Sequence, residues 1–308
     1  MSNTKDQFVK NPEKDFSRNR KLTFEKMIEL ILTMGGGNLS KELLEYSGYA
    51  IETATTSAFV QQREKIKSSA FEYLLNEFIN SFEDIQSYEG YKLLASDGTN
   101  LNIPRDPNDA DTYYQAKHGA RGYNLLHSNA IYDLCTKLYV DAYIQPSRKE
   151  NEHRALAYMI DRSRITENAI LITDRGYESY NVLAHIAEKG WKYVIRVKDV
   201  DSYGILSGLR LPDEPEFVKE IHLTLTRKQT NTVKSQSDIY KFLPKGVVFD
   251  YLDQNNLFYS ISFRAVRLKL SDGVYETLIT NLHSTEFPLT NSKCYTTCVG
   301  GLKFRSVI

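Results

Sequence analysis

The chain has 308 residues, 41% of them hydrophobic, with 39 basic and 39 acidic residues that leave no formal net charge. That is enough for one large domain with an insertion, or for two domains with a real core. No run of eighteen apolar residues occurs, and Met1 to Arg20 is too polar for a signal peptide, so neither a membrane span nor secretion is expected. Three cysteines, Cys135, Cys294 and Cys298, fit a reducing cytoplasm better than a disulfide framework. Zero net charge neither demands nor excludes nucleic acid, because the local distribution of charge matters more than its sum.

Residues 1 to about 90 read as helical. Thr23 caps an apolar pattern at helical spacing through Leu32, and Gly35-Gly36-Gly37 stops it. Ser40 to Tyr46 reads as a second short helix, Thr56 to Ile66 as a third, and Phe71 to Phe82 continues the pattern. Short helices with interleaved Arg and Lys suit a DNA-binding head, with Arg63 as a candidate contact, or else a solvated helical cap. The first thirty residues hold seven Lys/Arg against five Asp/Glu, a weak surplus.

From Tyr91 the period changes. Lys92 to Ser96 reads as a strand ending at Asp97-Gly98-Thr99, and Leu101 to Asp111, with two prolines, as a loop. Leu125 to Tyr132 and Leu138 to Ile144 form a hairpin pattern around Asp133 to Lys137. Asn151 to Ser163 reads as a helix with Ala155, Leu156, Met159 and Ile160 inward, and Glu152 as a helix-start acid favoured by the dipole. Ala169 to Thr173 is apolar throughout, the mark of a strand buried on both faces, and ends in Asp174-Arg175-Gly176-Tyr177. A helix from Tyr180 to Glu188 closes at Gly190, and Trp191 to Val197 is another strand.

Strand, strand, strand, helix, strand, helix, strand is the order of a ribonuclease-H-like mixed sheet, an α/β class. In that architecture the first and fourth strands lie side by side, which brings Asp97 and Asp174 together. Two strand-borne carboxylates at a sheet rim suit a hard cation such as Mg²⁺. His118, His127 and His153 are scattered, and none reads as a metal ligand. Residues 200 to 282 are β-rich over Phe217 to Thr226, Gly246 to Leu252, Leu257 to Leu270 and Val274 to Leu282, with an Asp272-Gly273 turn. This region reads as a β-sheet inserted after the last core strand, either contacting substrate or purely structural.

These residues carry a resemblance. Asp97-Gly98-Thr99 and Asp174-Arg175-Gly176-Tyr177 resemble the first and second acid motifs of DDE transposases of bacterial insertion sequences, most closely insertion-sequence family four. Tyr123 to Asp133 is similar to its second-strand motif, Ser57 to Arg63 to its helical head, and Thr280-Asn281-Leu282 to the strand before the last acid motif. The resemblance runs from about residue 20 to about 290. It implies a helical DNA-binding head (1–88), a ribonuclease-H-like core (89–200), a β-rich insertion (201–282) and a tail (283–308). It also implies two Mg²⁺ or Mn²⁺ ions held by Asp97, Asp174 and a third acid, with cleavage at transposon ends and strand transfer into target DNA. The partner is then double-stranded DNA, bound by a homodimer in a bacterial cytoplasm, on the nucleoid. Arg175 falls near the phosphate backbone or else forms a surface ion pair, and Tyr177 packs.

The departure lies at the end. The expected third motif is Tyr, two residues, Arg, three residues, Glu, six residues, Lys, yet no acid follows Glu286. With synonymous codons chosen for the purpose, a frame starting at the third base of the Lys293 codon reads Met-Leu-Tyr-Asn-Met-Arg-Trp-Gly-Ile-Glu, at the family spacing. The expectation is therefore an out-of-frame tail over Lys293 to Ile308, a missing catalytic Glu, and impaired activity or a non-catalytic DNA-binding remnant. Cys294 and Cys298 then read as unpaired residues of that tail.

Overall fold

The computed structural model describes residues 2–18, 20–82, 87–116, 120–166, 168–200 and 202–284. The chain divides into two compact units, Met1–Glu83 and Asp84–Ile308. The expectations placed on His118, Cys294, Cys298 and the third acid motif lie outside the described residues.

In the first unit, a 3-10 turn (Ser2–Gln7) precedes helices α1 (Phe24–Thr33), α2 (Leu39–Tyr46), α3 (Thr56–Arg63) and α4 (Ser69–Asn80). Thr23, Asn38 and Thr55 cap the first three, each side chain accepting a backbone N–H of the first turn. The unit has its own apolar centre, with Val9, Phe24, Met27, Leu30, Phe59 and Ala70 nearly or fully buried.

The second unit is built on one ten-stranded mixed sheet. Its strands are β1 (Lys92–Ile103), β2 (Tyr113–Tyr114), β3 (Tyr123–Asp133), β4 (Leu138–Pro146), β5 (Ala169–Thr173), β6 (Lys192–Val197), β7 (Phe217–Thr226), β8 (Tyr240–Phe242), β9 (Phe258–Ser271) and β10 (Val274–Thr280). They lie in the order β2-β3-β1-β5-β6-β10-β9-β7-β8, with β4 paired to β3. Helices α5 (Glu152–Arg162) and α6 (Tyr180–Glu188) join the parallel strands, and α7 (Asn231–Ser235) is a short turn before β8.

Strand β5 is buried along its whole length because it runs between two parallel neighbours, β1 and β6, with apolar side chains on both faces. Leu171 joins Leu94, Leu156, Met159, Leu183 and Ile195 in the larger core. Ile170 and Ile172 join Leu93, Val194 and Leu278 in a second cluster. Each such side chain contributes roughly 1.5–3 kcal/mol of burial. The paired cores hold the β1–β5 ladder, Lys92 to Ser96 against Ala169 to Thr173, in a fixed position.

Three expectations are corrected. The strand opening at Lys92 does not stop at Ser96: it runs to Ile103, because β3 pairs with it as far as Ile103↔Asn124. Residues 246 to 252 form turns and irregular chain instead of a strand, and β8 takes the pairing position beside β7. The β-rich region does not make a separate sheet, since β10 pairs antiparallel with β6 and carries β9, β7 and β8 with it.

Candidate active site

The β1–β5 ladder ends at the pair Ser96↔Thr173. Asp97 and Asp174 are the next residues in each chain segment, so the two acids stand side by side just past the end of that ladder. They differ in what the chain does next. β1 continues past Asp97, held by β3 through Asp97↔Ala130. β5 stops, and Asp174 caps a 3-10 turn (Arg175–Tyr177), its Oδ1 accepting the Arg175 N–H at 2.6 Å.

Burial raises the Asp97 pKa from its ordinary 3.8; the Gly98 N–H, donating to Oδ1 at 2.8 Å, draws it back. The neighbouring Asp174 charge raises it further, and His127 lowers it. Two adjacent carboxylates offer hard oxygen ligands of the kind that suit Mg²⁺ or Mn²⁺. The pair therefore fits two ligands of such an ion. Among the described residues no group of three or more His, Cys, Asp or Glu is arranged to hold a metal.

Basic groups stand on the Asp174 side. Arg196 on β6 places Nη1 3.7 Å from Asp174 Oδ1 and pairs through Nε with the buried carboxylate of Glu276 on β10. Arg175 brings Nε to 3.9 Å of Asp174 Oδ1, with its side chain 56% exposed. Tyr177 is buried and packs in the larger core. Arg63 belongs to the first unit, at the last turn of α3, with its guanidinium 6.0 Å from the Phe59 ring.

Sequence reasoning missed two neighbours of the acid pair. A Cβ on Gly98 would fall 2.5 Å from Glu152 Oε1 and 2.6 Å from His127 Nε2, so both side chains fill the space that only a glycine leaves open. Glu152 does open α5 behind the Asn151 cap, as expected of a helix-start acid, but its carboxylate also reaches the strand end. His153 Nε2 lies 2.7 Å from the Gly176 carbonyl, tying the same helix end to the turn after Asp174. The available signals were the glycine directly after Asp97 and, for Arg196, a lone charge inside an apolar strand.

The two carboxylates thus stand one step beyond the parallel β1–β5 ladder of a mixed α/β sheet, with basic side chains beside Asp174. The chain belongs to the transposase DDE domain family, whose model matches residues 88–289. Among solved structures it is similar to a piggyBac transposase in a cryo-EM synaptic complex with hairpin DNA, at 13% identity and a TM-score of 0.39. That match covers 90% of this chain and 57% of the other, so this chain spans little more than half of its length. Comparison with curated proteins finds no match.

Proposed function

We propose that the chain is a DNA transposase of the insertion-sequence family four type. In this reading residues 1–88 form a helical DNA-binding head and 89–200 a ribonuclease-H-like catalytic core. Residues 201–282 are a β-rich insertion in that core. Asp97 and Asp174 are the catalytic, cation-holding carboxylates, and the carrying observation is their side-by-side position one step beyond Ser96↔Thr173. A bound divalent cation supplies charge neutralisation at the scissile phosphate and a more acidic attacking water. The chain's own contribution is placement: two rigid strands fix the carboxylates, and Arg175 and Arg196 offer positive charge beside Asp174 for a phosphate. The substrate is double-stranded DNA, the transposon ends and then the target, bound by a homodimer on the bacterial nucleoid.

The family-spaced Tyr, Arg, Glu and Lys do not occur after Thr280-Asn281-Leu282, and residues 293–308 are compatible with an out-of-frame tail. The test uses the nucleotide sequence downstream of codon 285. Where the shifted frame is open, a chain carrying it cleaves duplex DNA bearing the element's ends in Mg²⁺, and Asp97→Asn reduces cleavage to background. A restored chain without cation-dependent cleavage, or one indifferent to Asp97→Asn, rejects the reading.

A further inference from the structure

The third carboxylate near the acid pair is Glu152, and the observations around it are independent of one another. His127 is 5% exposed and fixed on one side, its Nδ1 3.0 Å from Asn100 Oδ1 and 3.1 Å from Glu150 Oε2. On the other side its Nε2 lies 3.1 Å from Glu152 Oε1, without the direction of a hydrogen bond. A buried imidazole thus holds one oxygen of Glu152 over Gly98, directly after Asp97. The other oxygen lies toward Gly176, 3.8 Å from where a Cβ there would stand, two residues after Asp174. Glu152 therefore lies between Gly98, beside Asp97, and Gly176 in the turn after Asp174. Tyr177, 3% exposed, adds a second sign: its hydroxyl lies beside Ser96 without a hydrogen bond of good geometry. Burial foremost, then the charges of Glu152 and Asp97 against the opposing Ser96 hydroxyl, raise its pKa, so the hydroxyl stays protonated among these groups. Glu25, in the first turn of α1, is an exposed helix-start acid without such surroundings.

We infer that Glu152 is a third carboxylate of the Asp97–Asp174 site, a positioning residue held by His127 that strengthens the site's grip on a divalent cation. The inference rests on the reading of Asp97 and Asp174 as cation ligands. Glu152 does not complete a direct ligand cluster in this arrangement. Its role is exerted from the outer sphere, where a carboxylate accepts hydrogen bonds from the water ligands of a hard cation. Removing such partners typically weakens metal affinity ~10–100-fold.

The experiment is calorimetric titration of the full chain with Mn²⁺, with a thermal melt of each metal-free variant. Wild type is expected to bind, Asp97→Asn to lose measurable binding, and Glu152→Gln to bind ~10–100-fold more weakly. Glu25→Gln, the helix-start control, is expected to bind as wild type. Should Glu152→Gln not fold, Glu152→Asp keeps the charge but withdraws it, and an intermediate loss of affinity supports the same role. Mn²⁺ affinity unchanged in Glu152→Gln, or in Glu152→Asp, while Asp97→Asn abolishes it, overturns the inference alone. A wild-type chain without Mn²⁺ binding, or an Asp97→Asn chain that binds normally, overturns the site reading and the inference with it.

Discussion

Two buried histidines of the second unit sit between pairs of carboxylates, and the contrast between them separates framework from site. His185 on α6 meets Asp161 Oδ1 at 2.8 Å through Nδ1 and Asp250 Oδ2 at 3.0 Å through Nε2, with the Tyr251 hydroxyl 3.1 Å from Nδ1. Asn181 completes the set, donating to Asp250 Oδ2 and accepting from the Asp250 N–H, both at 2.8 Å. Burial works against the Asp250 charge, but the hydrogen bonds from Asn181 and His185 and the nearby cationic side chains outweigh it, and its pKa is lowered. Every polar group there has a partner, so the cluster fastens the chain before β9 onto α5 and α6. His127 differs. Its Nε2 faces a carboxylate without bonding it properly, its neighbour Asp97 is pushed up in pKa, and glycines line the gap. A satisfied network stabilises; an incompletely satisfied one leaves polar groups open to a further partner.

The contrast can be broken most sharply at His185. Replacing it with Ala leaves two carboxylates without their shared partner, and we expect a loss of about 3 kcal/mol in urea unfolding. Mn²⁺ affinity of the folded variant should stay as in wild type; a loss below about 1 kcal/mol would show the cluster to be dispensable. Gly98→Ala comes next. The added methyl meets Glu152 and His127 at distances no real Cβ tolerates. The expected cost is about 1–3 kcal/mol, together with weaker Mn²⁺ binding. A variant that melts and binds like wild type would mean that both side chains swing away freely.

A third measurement concerns acid stability. Asp199 receives two hydrogen bonds from Arg267, at 2.9 and 2.8 Å, and further ones from Val200 and Thr277. The Arg267 bond foremost, against the opposing effect of burial, lowers its pKa from 3.8 to about 2. A depressed carboxylate contributes stability above its ordinary pKa and loses it as pH falls through the folded value, here from near 3.8 down to about 2. Because Asp199 is 42% exposed, the screened contribution is on the order of 1 kcal/mol. Asp199→Asn should lose that amount at neutral pH and track wild type at the acid end.

The smallest effect has the opposite sign. Asp97 carries a raised pKa, so its ionised form costs stability above the folded pKa, and the cost disappears as acidification protonates it. Without divalent cation, Asp97→Asn should therefore melt slightly higher than wild type at neutral pH, by less than about 1 kcal/mol, and lose that advantage in acid. A melt lowered at neutral pH would show that Asp97 supports the fold instead of straining it.

Local patterns were read best where one residue type dominates a short stretch. Ala169 to Thr173 is apolar at every position, and it is the fully buried strand β5. Asn151 and the inward Ala155, Leu156, Met159 and Ile160 mark α5 with its cap. The continuation of β1 was illegible because Gly98, Asn100 and Asn102, before Pro104, are poor strand formers taken alone. Pairing with β3 overrides that preference. β8 was missed for its length: Tyr240–Phe242 has three residues, too few for a period to show.

What the sequence determined by itself is the set of local elements and the two aspartates that end apolar runs, since capping, periodicity and burial of short segments depend on near neighbours along the chain. The tertiary structure alone decided that Glu152 and His127 meet over Gly98, and that the β-rich region continues the core sheet through β10. Those meetings join residues many positions apart. Their geometry follows from strand register and helix docking, which no local pattern encodes because each is the joint outcome of packing the whole sheet.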